Sequence, residues 1–181
     1  LAIAERIVSP DDGYDATYYF RHVERLKLGT PYPVIVSHVA RLIDRLQRQG
    51  QTTLALDYTG VGRPVFDMFE QAHLSCDLWG IFVHGGNAVT WDMSTVGVPK
   101  RDLISTAHVL MQSKRLEVAG TLPDTAHLVS ELQDYQVKID PVTAHDSYAA
   151  WREGVHDDLV FAVCLACWIA EAESSRRAFA A

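Results

Sequence analysis

The stretch Thr52-Thr53-Leu54-Ala55-Leu56-Asp57-Tyr58-Thr59-Gly60-Val61-Gly62 reads as a short apolar strand that ends on a carboxylate. A glycine-rich turn follows it, and then a helix carrying Val65, Phe66 and Phe69. Strand, turn and helix in that order is the unit from which parallel sheets with crossover helices are built. A carboxylate at the strand's exit stands where open α/β sheets place their ligands. Its plainer role is to satisfy free amides at the start of the next helix. The Thr59-Gly60-Val61-Gly62 piece is no phosphate loop, because it lacks both the Lys-Ser/Thr ending and the Gly-x-Gly-x-x-Gly spacing.

Working outward, Ile35, Val39, Leu42, Ile43 and Leu46 recur at helical spacing, with Arg41, Arg45 and Arg48 on the other side. Before that helix, Leu1 to Val8 and Thr17 to Leu28 are β-prone segments separated by the turn signal Ser9-Pro10-Asp11-Asp12-Gly13. They predict an antiparallel hairpin with an acidic tip at Asp11, Asp12 and Asp15. On the other side, Leu78 to Val83 is a continuous apolar run, the pattern of a strand buried on both faces. His84-Gly85-Gly86 ends it, and Trp91 to Val98 reads as a loop. Pro99 and Lys100 open a helix with Leu103, Ala107, Leu110 and Met111. Arg115 to Ala119 is a brief strand, Leu122-Pro123-Asp124 starts a helix with Leu128, Val129 and Leu132, and Val137 to Ile139 is a last short strand. A final helix is expected from about His156 to Glu173, with a frayed tail after it. The fold class is therefore α/β, a mixed sheet flanked by helices.

The chain has 181 residues, 48% of them hydrophobic and 22% charged, which suits one domain with a proper core. Its longest apolar stretch, Leu159 to Ala170, falls short of the roughly 20 residues that span a bilayer, so no membrane partner is expected. Cys76, Cys164 and Cys167 form no disulfide framework, and a cytoplasmic setting follows as the default. Cys164-x-x-Cys167 lies inside an apolar helical run without a second ligand pair, and both thiols read as core residues. The net charge of −7 argues against a non-specific nucleic-acid binder, which ordinarily carries a basic footprint.

A second acidic motif, His156-Asp157-Asp158, stands directly before Leu159-Val160-Phe161-Ala162-Val163. Acids at a helix start interact well with the helix dipole. This helix is so apolar that it must be buried, which carries two carboxylates to the edge of the core. That placement is costly without a cation, and carboxylate oxygens suit Mg²⁺ or Mn²⁺. Two such ions held by carboxylates are the usual apparatus of phosphodiester hydrolysis: one activates water and the other stabilises the leaving oxygen. Asp57 and Asp158 are the candidate catalytic residues. Asp57, Asp157 and Asp158 are the candidate metal ligands, and Asp157 is either an auxiliary ligand or a cap. His84 and the four tryptophans read as incidental or packing residues.

Several blocks together resemble the C-terminal nuclease domain of the large terminase subunit of tailed bacteriophages and prophages. They are Asp57 to Val65, Gly97-Val98-Pro99-Lys100-Arg101-Asp102-Leu103, Glu131-Leu132, and Trp151 to Val160, the last being the most specific. The resemblance implies a single RNase H-like domain over residues 1–181 that cuts concatemeric viral DNA during packaging, with two Mg²⁺ or Mn²⁺ ions. It implies the family's second and third acidic residues at Asp57 and Asp158. The first is expected on a strand preceding Leu1, with the packaging ATPase domain further upstream. Expected partners are double-stranded DNA, that ATPase domain, the portal and the small terminase subunit. The acidic balance then leaves DNA to other domains or to Arg63, Lys100, Arg101, Lys114 and Arg115. Two alternatives stand beside this reading: another RNase H-like enzyme of the resolvase or transposase type, and a non-catalytic interaction module in which the acids are caps.

Overall fold

In Ala16–Val23 (β2) the buried Ala16, Tyr18 and Phe20 alternate with Thr17, Tyr19 and Arg21, Val23 is buried as well, and the strand lies at the centre of its sheet. The computed structural model describes residues 1–9, 15–60, 62–139, 146–150 and 157–180. They fall into two compact units, Leu1–Arg25 with Lys100–Ala181, and Leu26–Pro99.

In the first unit, Ala2–Val8 (β1) pairs antiparallel with β2, as the sequence predicts. A bulge at Ile3/Ala4 shifts the register so that Ile3 faces His22 and Ala4 faces Phe20. Leu116–Val118 (β7) adds to the far edge of β2 in parallel, Tyr18 opposite Leu116. The helices of this unit are Lys100–Gln112 (α3), Thr125–Asp134 (α4) and Asp158–Ala180 (α5). Leu103, Ala107 and Leu110 of α3 and Leu128 of α4 are buried at the spacing read from the sequence. Leu159, Val160, Val163, Cys164, Cys167 and Trp168 of α5 are buried as well. Tyr135–Ile139 (β8) and Asp146–Ala150 (β9) form a separate hairpin.

In the second unit, Thr53–Asp57 (β3), Asp77–His84 (β4) and Thr95–Pro99 (β6) run parallel, with Thr90–Trp91 (β5) antiparallel on the β6 edge. Tyr32–Leu46 (α1) and Gly62–Gln71 (α2) are its helices. Val36, Val39 and Ile43 of α1, Leu54 of β3 and Phe69 of α2 form one buried cluster. Pro31 stands at the N-cap of α1 in extended conformation, and a further proline in the first turn forfeits no helical hydrogen bond there. The architecture is α/β, with mixed sheets flanked by helices.

Four local differences from the sequence reading have physical causes. The strand expected to run to Leu28 ends at Val23; Glu24 still bonds Leu1, and the next amide, that of Arg25, donates to the Asp124 carboxylate (2.8 Å). The segment read as a loop from Trp91 to Val98 holds β5 and β6. There Val96 and Val98 are buried in alternation with Thr95 and Gly97, a period-two pattern interrupted by glycine. Strand β9, built from Asp, Ser, Tyr and Ala, has too little β-propensity to be read from sequence. The tail expected to fray after Glu173 continues α5 to Ala180, consistent with its Ala, Glu and Arg content.

The cysteines behave as packing residues. Burial pushes the Cys164 thiol up to about 12 and raises that of Cys167 as well. In a native-state titration with Ellman's reagent at about pH 8, both are expected to stay unreacted until denaturant is added. Rapid modification of either in the folded protein would show that α5 opens.

Candidate functional site

Asp57 closes β3, and its placement is set by its own turn. Its Oδ1 accepts the Thr59 amide at 2.8 Å, the Tyr58 amide donates to the Ile81 carbonyl at 2.8 Å, and the Thr59 hydroxyl accepts the Val83 amide at 3.0 Å. The turn is therefore bolted to β4, and the carboxylate is exposed at the carboxyl end of a parallel strand. Gly60 is in the left-handed region (φ +61°), and a Cβ at Gly62 would run into the Asp57 carbonyl oxygen. Both glycines of Asp-x-Thr-Gly-x-Gly are thus demanded by the backbone around Asp57. Helix α2 begins at Gly62, five positions beyond Asp57. The carboxylate caps its turn; the helix-capping role is not the one it fills here.

Asp157 and Asp158 lie in the other unit, at the start of α5. By position Asp157 is the residue preceding the helix, and its carbonyl accepts the Phe161 amide at 2.8 Å. A capping side chain there would bond the amides two and three residues on. Those amides belong to Leu159 and Val160, and both donate instead to Oε2 of Glu131, at 2.8 and 3.1 Å. Glu131 comes from α4 and is 7% exposed. Its Oε1 accepts from the Arg25 guanidinium at 2.5 Å, and the same guanidinium nitrogen lies 3.4 Å from Oδ2 of Asp158. A remote, charge-paired carboxylate thus fills the cap of α5.

Asp124, at the head of α4, completes this end of the unit. The Arg25 amide donates to it and His127 bonds its other oxygen at 2.9 Å. The hydrogen bond from Arg25, then that from His127, holds its carboxyl below the ordinary value of 3.8. A depressed folded-state pKa contributes stability that is present above the unfolded value and lost as pH falls through the folded one. The urea midpoint of Asp124→Asn should therefore lie below wild type at about pH 6 and converge with it at about pH 2. A constant gap at both values would contradict the assignment.

Of the residues singled out in the sequence, Asp157 and Asp158 are side by side in the unit that holds Glu131 and Arg25, and Asp57 is in the other unit. Asp15 of the hairpin tip is exposed, with Oδ1 4.0 Å from Arg115. Asp11, Asp12 and His156 lie outside the described residues. Arg63, Arg101 and Lys114 are exposed. Arg115 is committed internally, donating to the Ala16 carbonyl at 2.7 Å and to Glu171 at 2.8 Å. Tyr18 donates to the same Glu171 oxygen at 2.8 Å, and burial raises its phenol further above the ordinary range. Arg25, Asp124 and Glu131 are the site residues that sequence reasoning missed. The available signal was Leu128-x-x-Glu131, which sets a carboxylate on the buried face of a helix.

The carboxylate oxygens of Asp57, Asp157 and Asp158 have the hardness that Mg²⁺ and Mn²⁺ require. Among the described residues, no group of three or more His, Cys, Asp or Glu side chains converges as a ready-made metal cage. No helix among them is long and apolar enough to cross a membrane. Compared with known proteins, the chain matches no family model, no curated protein and no solved structure.

Proposed function

We propose that the chain is an RNase H-like, metal-dependent endonuclease domain that cuts concatemeric viral DNA during genome packaging. Asp57 and Asp158 are its catalytic carboxylates, and Asp157 is an additional ligand. One observation carries this reading above the plainer one. The cap of α5 is supplied by Glu131, so the Asp157–Asp158 pair is not explained by helix capping.

Further support comes from Asp57, which a strand, a turn and two conformationally required glycines present at the carboxyl end of a parallel strand. Ions held by these carboxylates would supply activated water and charge stabilisation at the leaving oxygen. The chain's own contribution is to fix the acids: Asp57 through the Thr59 amide, and Asp158 at the head of a helix whose N-terminal dipole favours negative charge. The reading expects the packaging ATPase, portal and small terminase subunit as partners. It assigns the work to the cytoplasm of a bacterial host.

The test is relaxation of supercoiled plasmid by the protein with Mn²⁺ or Mg²⁺, with EDTA as control. Cleavage that requires the ion supports the nuclease. No cleavage with either ion would return the acids to a structural role and favour an interaction module.

A further inference from the structure

We infer that the outer face of α1 is a contact surface for the phosphate backbone of double-stranded DNA, formed by Arg41, Arg45 and Arg48. This deepens the reading of duplex DNA as the substrate, and rests on it.

The stripe follows from helix geometry. At about 100° per residue, Arg41, Arg45 and Arg48 fall within a sector of about 60°, on the side away from the buried Val36, Val39 and Ile43. Arg48 continues the line in the turn that closes the helix, where Gln47 keeps a helical backbone. All three arginines are exposed. None of their side chains has an ion-pair or hydrogen-bond partner among the described residues. Arg21, Arg25 and Arg115, by contrast, are each held by a carboxylate. Asp44 is the sole acid of α1, so the face keeps a net positive charge.

Stability does not account for this face. Like charges one helical turn apart repel. The helix dipole favours cations at the carboxyl end, which covers Arg45 and Arg48, but Arg41 stands before the last turn. The acidity of the chain is also unevenly placed. The unit Leu26–Pro99 has five lysines and arginines against six acids, whereas the whole chain has 16 against 23. The unit that carries α1 is therefore close to neutral, and most of the acidic excess lies in the other.

Charge density selects the partner. Arg41 to Arg48 spans about 10 Å along the helix axis. A duplex carries one negative charge per ~1.7 Å of its length, so about six phosphate charges fall within that span. Guanidinium groups match phosphate oxygens in bidentate geometry. Contacts of this kind hold a duplex in place without reading its sequence.

The test is fluorescence anisotropy of two labelled duplexes of unrelated sequence over a salt series. EDTA is present throughout, so that neither cleavage nor a metal ion enters the measurement. The triple variant Arg41→Gln, Arg45→Gln, Arg48→Gln should keep the helix, since Arg and Gln have similar helix propensity, and its urea midpoint checks this. It is expected to bind both duplexes about tenfold or more weakly at ~0.1 M salt, and to lower the slope of log K against log salt by about two to three. Arg41→Gln alone should lower that slope by about one. Arg21→Gln, which removes an exposed but paired arginine, should leave the affinity within about twofold of wild type.

Wild-type affinity and slope in the triple variant would overturn the inference, and so would wild-type protein that binds neither duplex. In either case plasmid cleavage by wild type would show that only the surface is wrongly assigned, whereas its absence would remove DNA as the substrate as well. An equal loss per charge in Arg21→Gln would reduce the effect to net charge and overturn the assignment. A polyglutamate peptide bound more tightly than duplex, through the same three arginines, would give the face to an acidic protein instead.

Discussion

Glu131→Ala is expected to lower the unfolding free energy by about 3 kcal/mol, near the low end for breaking a buried ion pair. Two costs combine. The Leu159 and Val160 amides lose their acceptor at a buried helix start, and Arg25 loses its closest counter-ion. Arg25 is a third exposed, so part of its loss is recovered by water and by Asp158. For a chain of this size the change corresponds to a fall of about 6–12 °C in melting temperature. Differential scanning calorimetry and urea unfolding would check it. A change below about 0.5 kcal/mol, the range of ordinary surface substitutions, would mean that α5 finds its cap elsewhere.

Asp57→Ala and Asp158→Ala should each reduce metal-dependent cleavage by about 10³-fold or more, a loss of about 4 kcal/mol in transition-state stabilisation. Their effect on stability should be small by comparison. Asp57 is exposed and forms one turn hydrogen bond, and Asp158 is largely solvated beside an arginine already held by Glu131. About 1 kcal/mol or less is expected from each. This contrast separates the functional reading from the structural one. On this account Glu131 should be costly to fold without, whereas the aspartates should be costly only to the reaction. If Asp158→Ala unfolded the protein as readily as Glu131→Ala, the division of labour at the head of α5 would be wrong.

How much could be read in advance depended on whether the deciding interaction was local. The turn after β3 was legible, because strand, carboxylate and glycines lie within ten residues and the constraint on Gly62 comes from Asp57 itself. Helices α1 and α3 were legible from apolar periodicity: Val39, Leu42 and Ile43, and Leu103, Ala107 and Leu110, are buried as the spacing indicates, whereas Met111 is exposed. Strand β6 was not, since Gly97 and the preceding polar turn masked an alternation that only pairing with β4 makes visible. The early end of β2 was not, and there the Arg25 amide is taken by Asp124, 99 residues away.

The head of α5 shows the same division. Two acids before an apolar helix can be seen in any reading of residues 156–163, and either capping or metal binding explains them. Glu131, arriving from 28 residues upstream, takes the Leu159 amide that a cap at Asp157 would serve. Its mark in the sequence, an acid on the Leu128 face of α4, is weak until burial is known. Buried carboxylates that serve a distant helix are thus the class of residue that periodicity alone passes over.

The most direct test of the central claim is plasmid cleavage in Mn²⁺, measured for wild type, Asp57→Ala and Asp158→Ala side by side. The account predicts ion-dependent nicking and linearisation by wild type, and loss of both in each variant while the variants remain folded. Equal cleavage by all three proteins would contradict it.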